Sequence, residues 1–310
     1  MMRKKIIITG GKGFIGGVLL ESLSKAYPKY DFIGIDRKYE DIEIHNKNVQ
    51  LFKTDINQWL PTIHDVETVI HLAALPSVRD SEARASDVIF DNILATQKII
   101  HQCIEVWKPK KMILTSSSSV YDGRSDEFMN ETDVFLRPLS AYASSKITCE
   151  QMMQMYIDNG RLDGIQSIIT RPFTVYGPHQ RDELAIQTII DSCLHDKPFN
   201  LYGDGNQKRD FTYIDDTCRA IDALRTSLDL KHTIYNIGTG KNISINEVIG
   251  KVSRILGKPV TINYQPATIY DTNFTKANIE RITRDTNWKP EVSFEDGLCE
   301  QIRWQSETKK

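Results

Sequence analysis

Long apolar runs are missing from this 310-residue chain. After a short basic start, Met1 to Lys5, the first apolar run is three isoleucines. That is too short for a signal-peptide core or a membrane span, so the cytoplasm is the expected compartment. Charge of one sign is missing too. The 39 Lys and Arg against 41 Asp and Glu leave a net charge of -2. Such a balance offers no electrostatic footprint to nucleic acid or to an anionic membrane. Cysteine is sparse. Cys103, Cys149, Cys193, Cys218 and Cys299 stand far apart with no C-x-x-C pair. Neither a zinc site nor a disulfide framework is expected, and no metal. Internal repeats and low-complexity segments are lacking as well. At 40% hydrophobic and 26% charged residues, the chain suits one large α/β unit or two smaller ones with real cores.

Strand-like and helix-like runs alternate. "DFIGID" (31–36), "VQLFKTD" (49–55), "TVIHLAA" (68–74), "KMILTSS" (111–117) and "IQSIITR" (165–171) read as strands, and 87–106 and 142–157 as helices. This alternation predicts a parallel sheet with helices on both faces. After Pro172 the loops lengthen. A short strand, "FNLYG" (199–203), and helical stretches at 183–195, 215–227 and 245–256 follow. They predict a smaller second lobe joined to the first without a flexible linker. The larger lobe is expected to span 1–172 plus roughly 212–237, and the smaller lobe 173–211 and 238–310. In open α/β sheets ligands lie beyond the carboxyl ends of the strands, so motifs at strand ends matter most.

One such motif is "IIITGGKGFIGGVLLESL" (6–23). Three β-branched residues suit a strand buried on both faces, and Phe14, Val18, Leu19 and Leu23 recur at helical spacing. Gly11, Gly13 and Gly16 fit G-x-G-x-x-G; Gly10, Gly13 and Gly16 fit G-x-x-G-x-x-G. Both registers suit a strand-to-helix turn that lets backbone N–H groups approach a pyrophosphate. An ordinary glycine-rich turn would read the same. Asp36 closes the next strand, 20 residues after Gly16. A carboxylate there can accept from the adenosine ribose and repel a 2′-phosphate, favouring NAD over NADP. Arg37 follows directly and keeps NADP open, since an arginine can receive that phosphate. Asp55 and Ile56 end the third strand, where a carboxylate can meet the adenine amine.

In "SAYASSK" (140–146), Tyr142 and Lys146 are four apart and share a helix face. An ammonium beside a phenol favours the phenolate, and such a tyrosine can act as a general acid and base. The spacing alone is common on helices. "LTSSSSVY" (114–121) places four serines at a strand exit, where they can meet a ligand or satisfy their own loop.

Together with "HLAA" (71–74), "DNILAT" (91–96), "RPFTVYGP" (171–178), "RDFTYIDD" (209–216), "NIGTG" (236–240) and "NWKPEVSFEDGL" (287–298), these segments resemble the extended short-chain dehydrogenase/reductase family. The likeness is to its nucleotide-sugar epimerases and covers nearly the whole chain. It implies a Rossmann-type doubly wound sheet with a smaller C-terminal substrate lobe. It implies NAD, held by Gly10, Gly13, Phe14, Ile15 and Gly16 at the pyrophosphate and by Asp36 at the ribose. Asp55 and Ile56 would flank adenine, with Leu72, Ala73, Ala74 and Asn92 also near the cofactor. By the same resemblance Tyr142 is the catalytic base, Lys146 holds the nicotinamide ribose, and Ser117 is the catalytic hydroxyl. Arg209 would contact the nucleotide diphosphate, and Asp271 would belong to the same substrate set.

The resemblance implies 4-epimerisation of a UDP-sugar through a transient 4-keto sugar, and a homodimer paired through 87–106 and 142–157. Departures from the family pattern are informative. Dehydratases carry Asp-Glu after the catalytic hydroxyl, and decarboxylases a glutamate at the second of those positions; here Ser118 and Ser119 stand there. An arginine usual before Asp271 is Thr268, and the asparagine of "NVYGP" is Thr174. Thr174 and Arg181 resemble the pair found in UDP-glucuronate epimerases, where a guanidinium can fork onto a carboxylate. Neutral UDP-hexoses remain open, as Asp182 can pair off Arg181. A dehydratase, decarboxylase or reductase on the same scaffold, and a non-catalytic dinucleotide-binding protein, are the alternatives.

Overall fold

Ile6, Ile7 and Ile8 are fully buried at the centre of the molecule. They form strand β1 (Lys5–Thr9), and the period of a strand sends them to opposite faces. Ile6 and Ile8 pack into one hydrophobic core and Ile7 into another. The computed structural model describes residues 3–38, 46–76, 84–121, 128–133, 138–267 and 272–308. From β1 the chain runs through α1 (Phe14–Ala26), β2 (Asp31–Asp36), β3 (Val49–Lys53), β4 (Val66–His71), α2 (Ala85–Gln102), β5 (Lys111–Thr115), α3 (Ala141–Asp158) and β6 (Gln166–Pro172). It continues through β7 (Thr174–Tyr176), α4 (Ala185–Leu194), β8 (Phe199–Tyr202), β9 (Lys208–Arg209), β10 (Phe211–Tyr213), α5 (Ile214–Thr226) and β11 (Ile234–Ile237). Next come β12 (Ile243–Ser244), α6 (Ile245–Leu256), β13 (Ile262–Gln265), α7 (Glu280–Thr286) and α8 (Phe294–Thr308).

Seven strands form one sheet in the order β11-β6-β5-β4-β1-β2-β3. Every neighbouring pair is parallel. Helices α1 and α5 contribute Leu19, Leu20, Ala220 and Leu224 to one face, and α2 and α3 contribute Ile99, Ile100 and Met153 to the other. This is a Rossmann-type doubly wound sheet. The chain winds outward from β1 to β3 and then restarts at β4 on the other side. The reversal opens a crevice at the carboxyl ends of β1 and β4.

The sequence after β6 leaves the sheet and returns once, for β11. Between and beyond lie short pairs: β7 with β10, β8 with β13, and antiparallel β9 with β12. Helix α6 is bounded by its own sequence. Ser244 and Glu247 make a reciprocal capping box, and Gly257 ends the helix in the left-handed region. A buried network joins the sheet to later segments. Arg171 on β6 makes a two-pronged bond to Glu150 of α3 at 2.9 and 2.7 Å. It also donates to Tyr121 Oη, which donates to Asn236 of β11, both at 2.8 Å. Among the described residues no helix is long and apolar enough to cross a membrane.

Candidate active site

Thr9 ends β1 and Gly10 turns the chain with φ +72°. A Cβ on Gly10 would stand 2.8 Å from Ala73 N and 2.9 Å from the Leu72 carbonyl carbon. The turn therefore lies directly against the chain leaving β4. A Cβ on Gly16, in the first turn of α1, would overlap the Gly10 carbonyl oxygen. Gly13 caps α1 with no side-chain bond, and no acidic residue occupies the first turn. The first N–H groups of α1 have no intrahelical acceptor, and the positive end of the helix stays uncompensated. This cradle, which side chains would fill, fits a dinucleotide pyrophosphate. Gly10, Gly13 and Gly16 line the cleft together with Phe14 and Ile15, and Gly11 does not.

Asp36 sits at the end of β2 in the same cleft. Its two oxygens accept from Lys12 N at 3.0 Å and Lys38 N at 3.1 Å. Each retains a lone pair for a ribose hydroxyl. Arg37 lines the cleft beside it but is paired with Asp91 of α2 at 2.9 Å.

At the end of β4, Leu72, Ala73 and Ala74 line the cleft. A buried chain of polar groups fixes them. Thr96 Oγ1 donates to Asn92 O, so His71 Nε2 donates to Thr96 at 3.2 Å. His71 Nδ1 then accepts from Thr9 Oγ1 at 2.7 Å, and Thr9 accepts from Ala73 N at 3.3 Å. Burial, aided by the charge of Lys146, pushes the His71 pKa down to about 3, so this imidazole is neutral. Asn92 is buried and clamps Leu75, accepting from its N–H at 2.7 Å and donating to its carbonyl at 3.3 Å. It also donates to Ser145 of α3. Asn92 thus stands behind the cleft wall rather than in it. Asp55 and Ile56 are likewise outside the lining. The Asp55 carboxylate accepts from Asn57 N at 2.8 Å, and Ile56 is a core residue.

The reactive groups gather where β5 ends. Ser117, Ser118, Ser119, Tyr142 and Lys146 all line the cleft. Ser117 Oγ accepts from Ser119 N at 3.1 Å, which leaves its own proton for another acceptor. Tyr142 lies one turn before Lys146 on α3, whose Ser140 cap accepts from Ala143 N. Lys146 is buried and donates to Thr115 O at 2.8 Å, with Nζ 5.9 Å from the Tyr142 ring centre. Two of its three protons remain for other acceptors. The Oγ atoms of Ser116 and Ser119 are buried with no hydrogen-bond partner.

Thr174, Arg181 and Arg209 complete the opposite wall of this cleft, whose volume is about 870 Å³. Arg181 pairs with Glu183 at 2.8 Å. Arg209 is carried by β9, next to fully buried Asp210. Asp210 accepts from Thr239 N, Thr239 Oγ1, Gly240 N and Ala277 N. Thr268 and Asp271 lie outside the described residues.

A family model described as "NAD dependent epimerase/dehydratase family" matches residues 6–238. The chain belongs to this family. A UDP-glucuronate 4-epimerase of Thermodesulfobacterium geofontis is 33% identical, over 97% of this chain and 96% of that one. MoeE5, solved in complex with UDP-glucuronic acid and NAD, has a TM-score of 0.91 at 31% identity, over 98% of this chain and 99% of its own. The same protein is solved with UDP-glucose and NAD. A UDP-glucuronic acid 4-epimerase from Bacillus cereus, with UDP-glucuronic acid and NAD, has a TM-score of 0.85 at 33% identity, over 98% and 99%.

Within this family fold, reading the sequence named many of the groups that line the cleft and Asn92 behind its wall, but not the Thr9, His71 and Thr96 chain beside it. Thr9, His71 and Thr96 lie in the quoted "IIITGG", "HLAA" and "DNILAT" stretches, but nothing in those stretches shows that the three bond to one another. Asp210 was within reach, as a carboxylate directly after Arg209 in a strand-forming run has to be satisfied somewhere.

Proposed function

We propose that the protein is an NAD-dependent 4-epimerase of a nucleotide sugar, with a UDP-sugar as substrate. The observation that carries this reading is the convergence of Ser117, Tyr142 and Lys146 on one cleft that runs from the Gly10–Gly16 cradle to Arg209. The epimerases named among its relatives and structural neighbours support it.

Gly10, Gly13 and Gly16 hold the pyrophosphate of the cofactor, and Asp36 its adenosine ribose. Leu72, Ala73 and Ala74 wall it in. The chemistry that bound NAD supplies is acceptance of a hydride from C4 of the sugar and its return to the other face. The chain moves the proton. Tyr142 takes the proton of the C4 hydroxyl as C4 becomes a ketone, and gives it back when the alcohol reforms. Ser117 holds the same oxygen by donating its free proton. Lys146 holds the nicotinamide ribose, with Nζ 5.9 Å from the Tyr142 ring centre. Proton transfer by a positioned group contributes about 10² to 10⁴-fold in rate. Arg209 grips the diphosphate. In this reading residues 1–172 and roughly 212–237 form the cofactor-binding part, with 173–211 and 238–310 as the sugar-nucleotide lobe.

UDP-glucuronate is the first candidate sugar. Arg181, Thr174, Ser118 and Ser119 share the cleft wall and can surround a carboxylate, Arg181 by its fork. The Arg181–Glu183 pair favours a second reading, a neutral UDP-hexose, because the guanidinium already has a carboxylate. The test is incubation with UDP-, GDP- and TDP-sugars and NMR identification of the product. A C4 epimer formed without net consumption of cofactor is expected. A dehydrated, decarboxylated or reduced product would overturn the assignment.

The reading includes a cytoplasmic homodimer. Ile89 and Phe90 on α2 and Met155 on α3 are exposed, and pairing these helices with their symmetry mates would cover them. Sedimentation as a monomer at micromolar concentration would count against the dimer.

A further inference from the structure

Arg37 poses a physical problem for a cleft that prefers NAD. It lines the cleft next to Asp36, and a guanidinium is the natural partner of a phosphate. Left free, it would draw in the 2′-phosphate that Asp36 repels. In the structure it is not free. Arg37 Nη1 donates to Asp91 Oδ2 at 2.9 Å, across 54 residues of sequence. Asp91 is fixed independently of Arg37, because its other oxygen accepts from Asn57 Nδ2 at 3.3 Å. Asn57 is in turn held by Asp55, through its backbone N–H, and by Lys98 Nζ, through its carbonyl. The carboxylate is also the better buried partner, at 22% exposure against 46% for the guanidinium.

We propose that Asp91 is a cofactor-specificity residue, which sequesters Arg37 and so keeps a cation from the 2′ position of the adenosine ribose. The proposal rests on the NAD reading above and adds a second device to it. Asp36 discriminates by repulsion from the end of β2, and Asp91 by occupation from α2. The Asp55 turn that closes β3 acts at one remove, since it orients the Asn57 amide that steadies Asp91. A 2′-phosphate can recruit Arg37 only in competition with Asp91, whose own negative charge stands close by.

The experiment is calorimetric titration of NAD and NADP into purified protein freed of nucleotide, for wild type, Asp91→Asn, Arg37→Ala and the double variant. Asparagine keeps the shape and the contact with Asn57 while removing the charge. Asp91→Asn is expected to tighten NADP by about threefold to fivefold, the range that a partly exposed ion pair can hold back. NAD affinity should change less than about twofold, because the released arginine finds no phosphate at the 2′ position. Arg37→Ala alone should leave NADP affinity within about twofold of wild type, as its charge is already occupied. In the double variant the gain should vanish. A gain that survives in the double variant means that Asp91 acts only by its own repulsion, and overturns the sequestration. No gain in Asp91→Asn, or a marked loss of NADP binding in Arg37→Ala, also overturns it. Wild type that binds neither dinucleotide overturns the function proposed above and this assignment with it.

Discussion

Replacing Gly16 by alanine adds one methyl group at the tightest point of the cofactor cradle. Its Cβ would overlap the Gly10 carbonyl oxygen and stand 2.8 Å from the Gly10 carbonyl carbon. Both are backbone atoms, and Gly10 is itself wedged against Leu72 and Ala73. No side chain can rotate away, so α1 has to shift relative to the turn. Overpacking of this kind costs about 1–3 kcal/mol, from which alanine recovers ~1 kcal/mol in helix propensity. The obstacle is rigid, so the upper part of the range applies and a net loss of about 2 kcal/mol is expected. Displacing the turn also displaces the N–H groups that we propose hold the pyrophosphate, so NAD should bind at least about tenfold more weakly. Gly17 supplies the internal control. A Cβ there meets only Gly11 O, at 3.6 Å, which is ordinary contact. Gly17→Ala should therefore be neutral or stabilising by up to ~1 kcal/mol. Urea midpoints at constant slope and calorimetric NAD titrations read both effects. Equal stability of the two variants, or wild-type NAD affinity in Gly16→Ala, would refute the argument.

Tyr142→Phe should abolish nearly all turnover while NAD and UDP-sugar still bind, because only the proton-transfer group is lost; epimerisation near the wild-type rate would remove Tyr142 from its role. Ser117→Ala should be slower yet measurable. Arg181→Ala should weaken UDP-glucuronate far more than UDP-glucose in competition binding if Arg181 holds the carboxylate, and equal losses would leave it as a nucleotide contact. Lys111 gives a pH signature. Burial, and then the charge of Arg225, push its pKa from 10.5 down to about 8, while Nζ donates to the carbonyls of Leu224 and Ser227. The unfolded chain therefore holds this proton more tightly than the folded one between those values. The contribution of Lys111 to stability should rise with pH from about 8 to 10.5. Denaturant midpoints of wild type and Lys111→Met across this range measure it, and a pH-independent difference would refute it.

The local signals in the sequence were legible because they are short in range. "DFIGID" is a strand over the expected residues 31–36, and the helix at 245–256 is bounded by a serine cap and a glycine stop that need no tertiary partner. The cleft lining was legible because strand ends and helix starts carry it. Spacing alone left the glycine register open between Gly10 and Gly11, and only the family resemblance chose Gly10; the close approach of Gly10 to residues 72 and 73 is a product of β1–β4 pairing, which spacing does not encode. Asp55 ends a strand, which the sequence showed, but the bond of its carboxylate to Asn57 N in the next turn was not legible there. Arg37 with Asp91 and Arg171 with Glu150 were illegible for one reason. Each pair joins two elements whose apposition depends on how helices settle on the sheet, and nothing local in either partner encodes the other.

The position of β11 has a consequence for how the molecule is made. Synthesis delivers β6 first, then the 61 residues 173–233, and only then the strand that pairs with its outer edge. Until that strand emerges, the nascent sheet presents a bare row of backbone donors and acceptors on a β-rich, apolar run, the kind of edge that recruits foreign strands. The intervening residues, with Thr174, Arg181 and Arg209 of the cleft lining among them, therefore also act as a long tether. Closing so large a loop is slow relative to local pairing. The edge of β6 is protected only by that late event, and Ile245, Thr272 and Thr275 of the cleft lining follow later still, so a chain arrested before β11 lacks both the edge strand and part of the cleft.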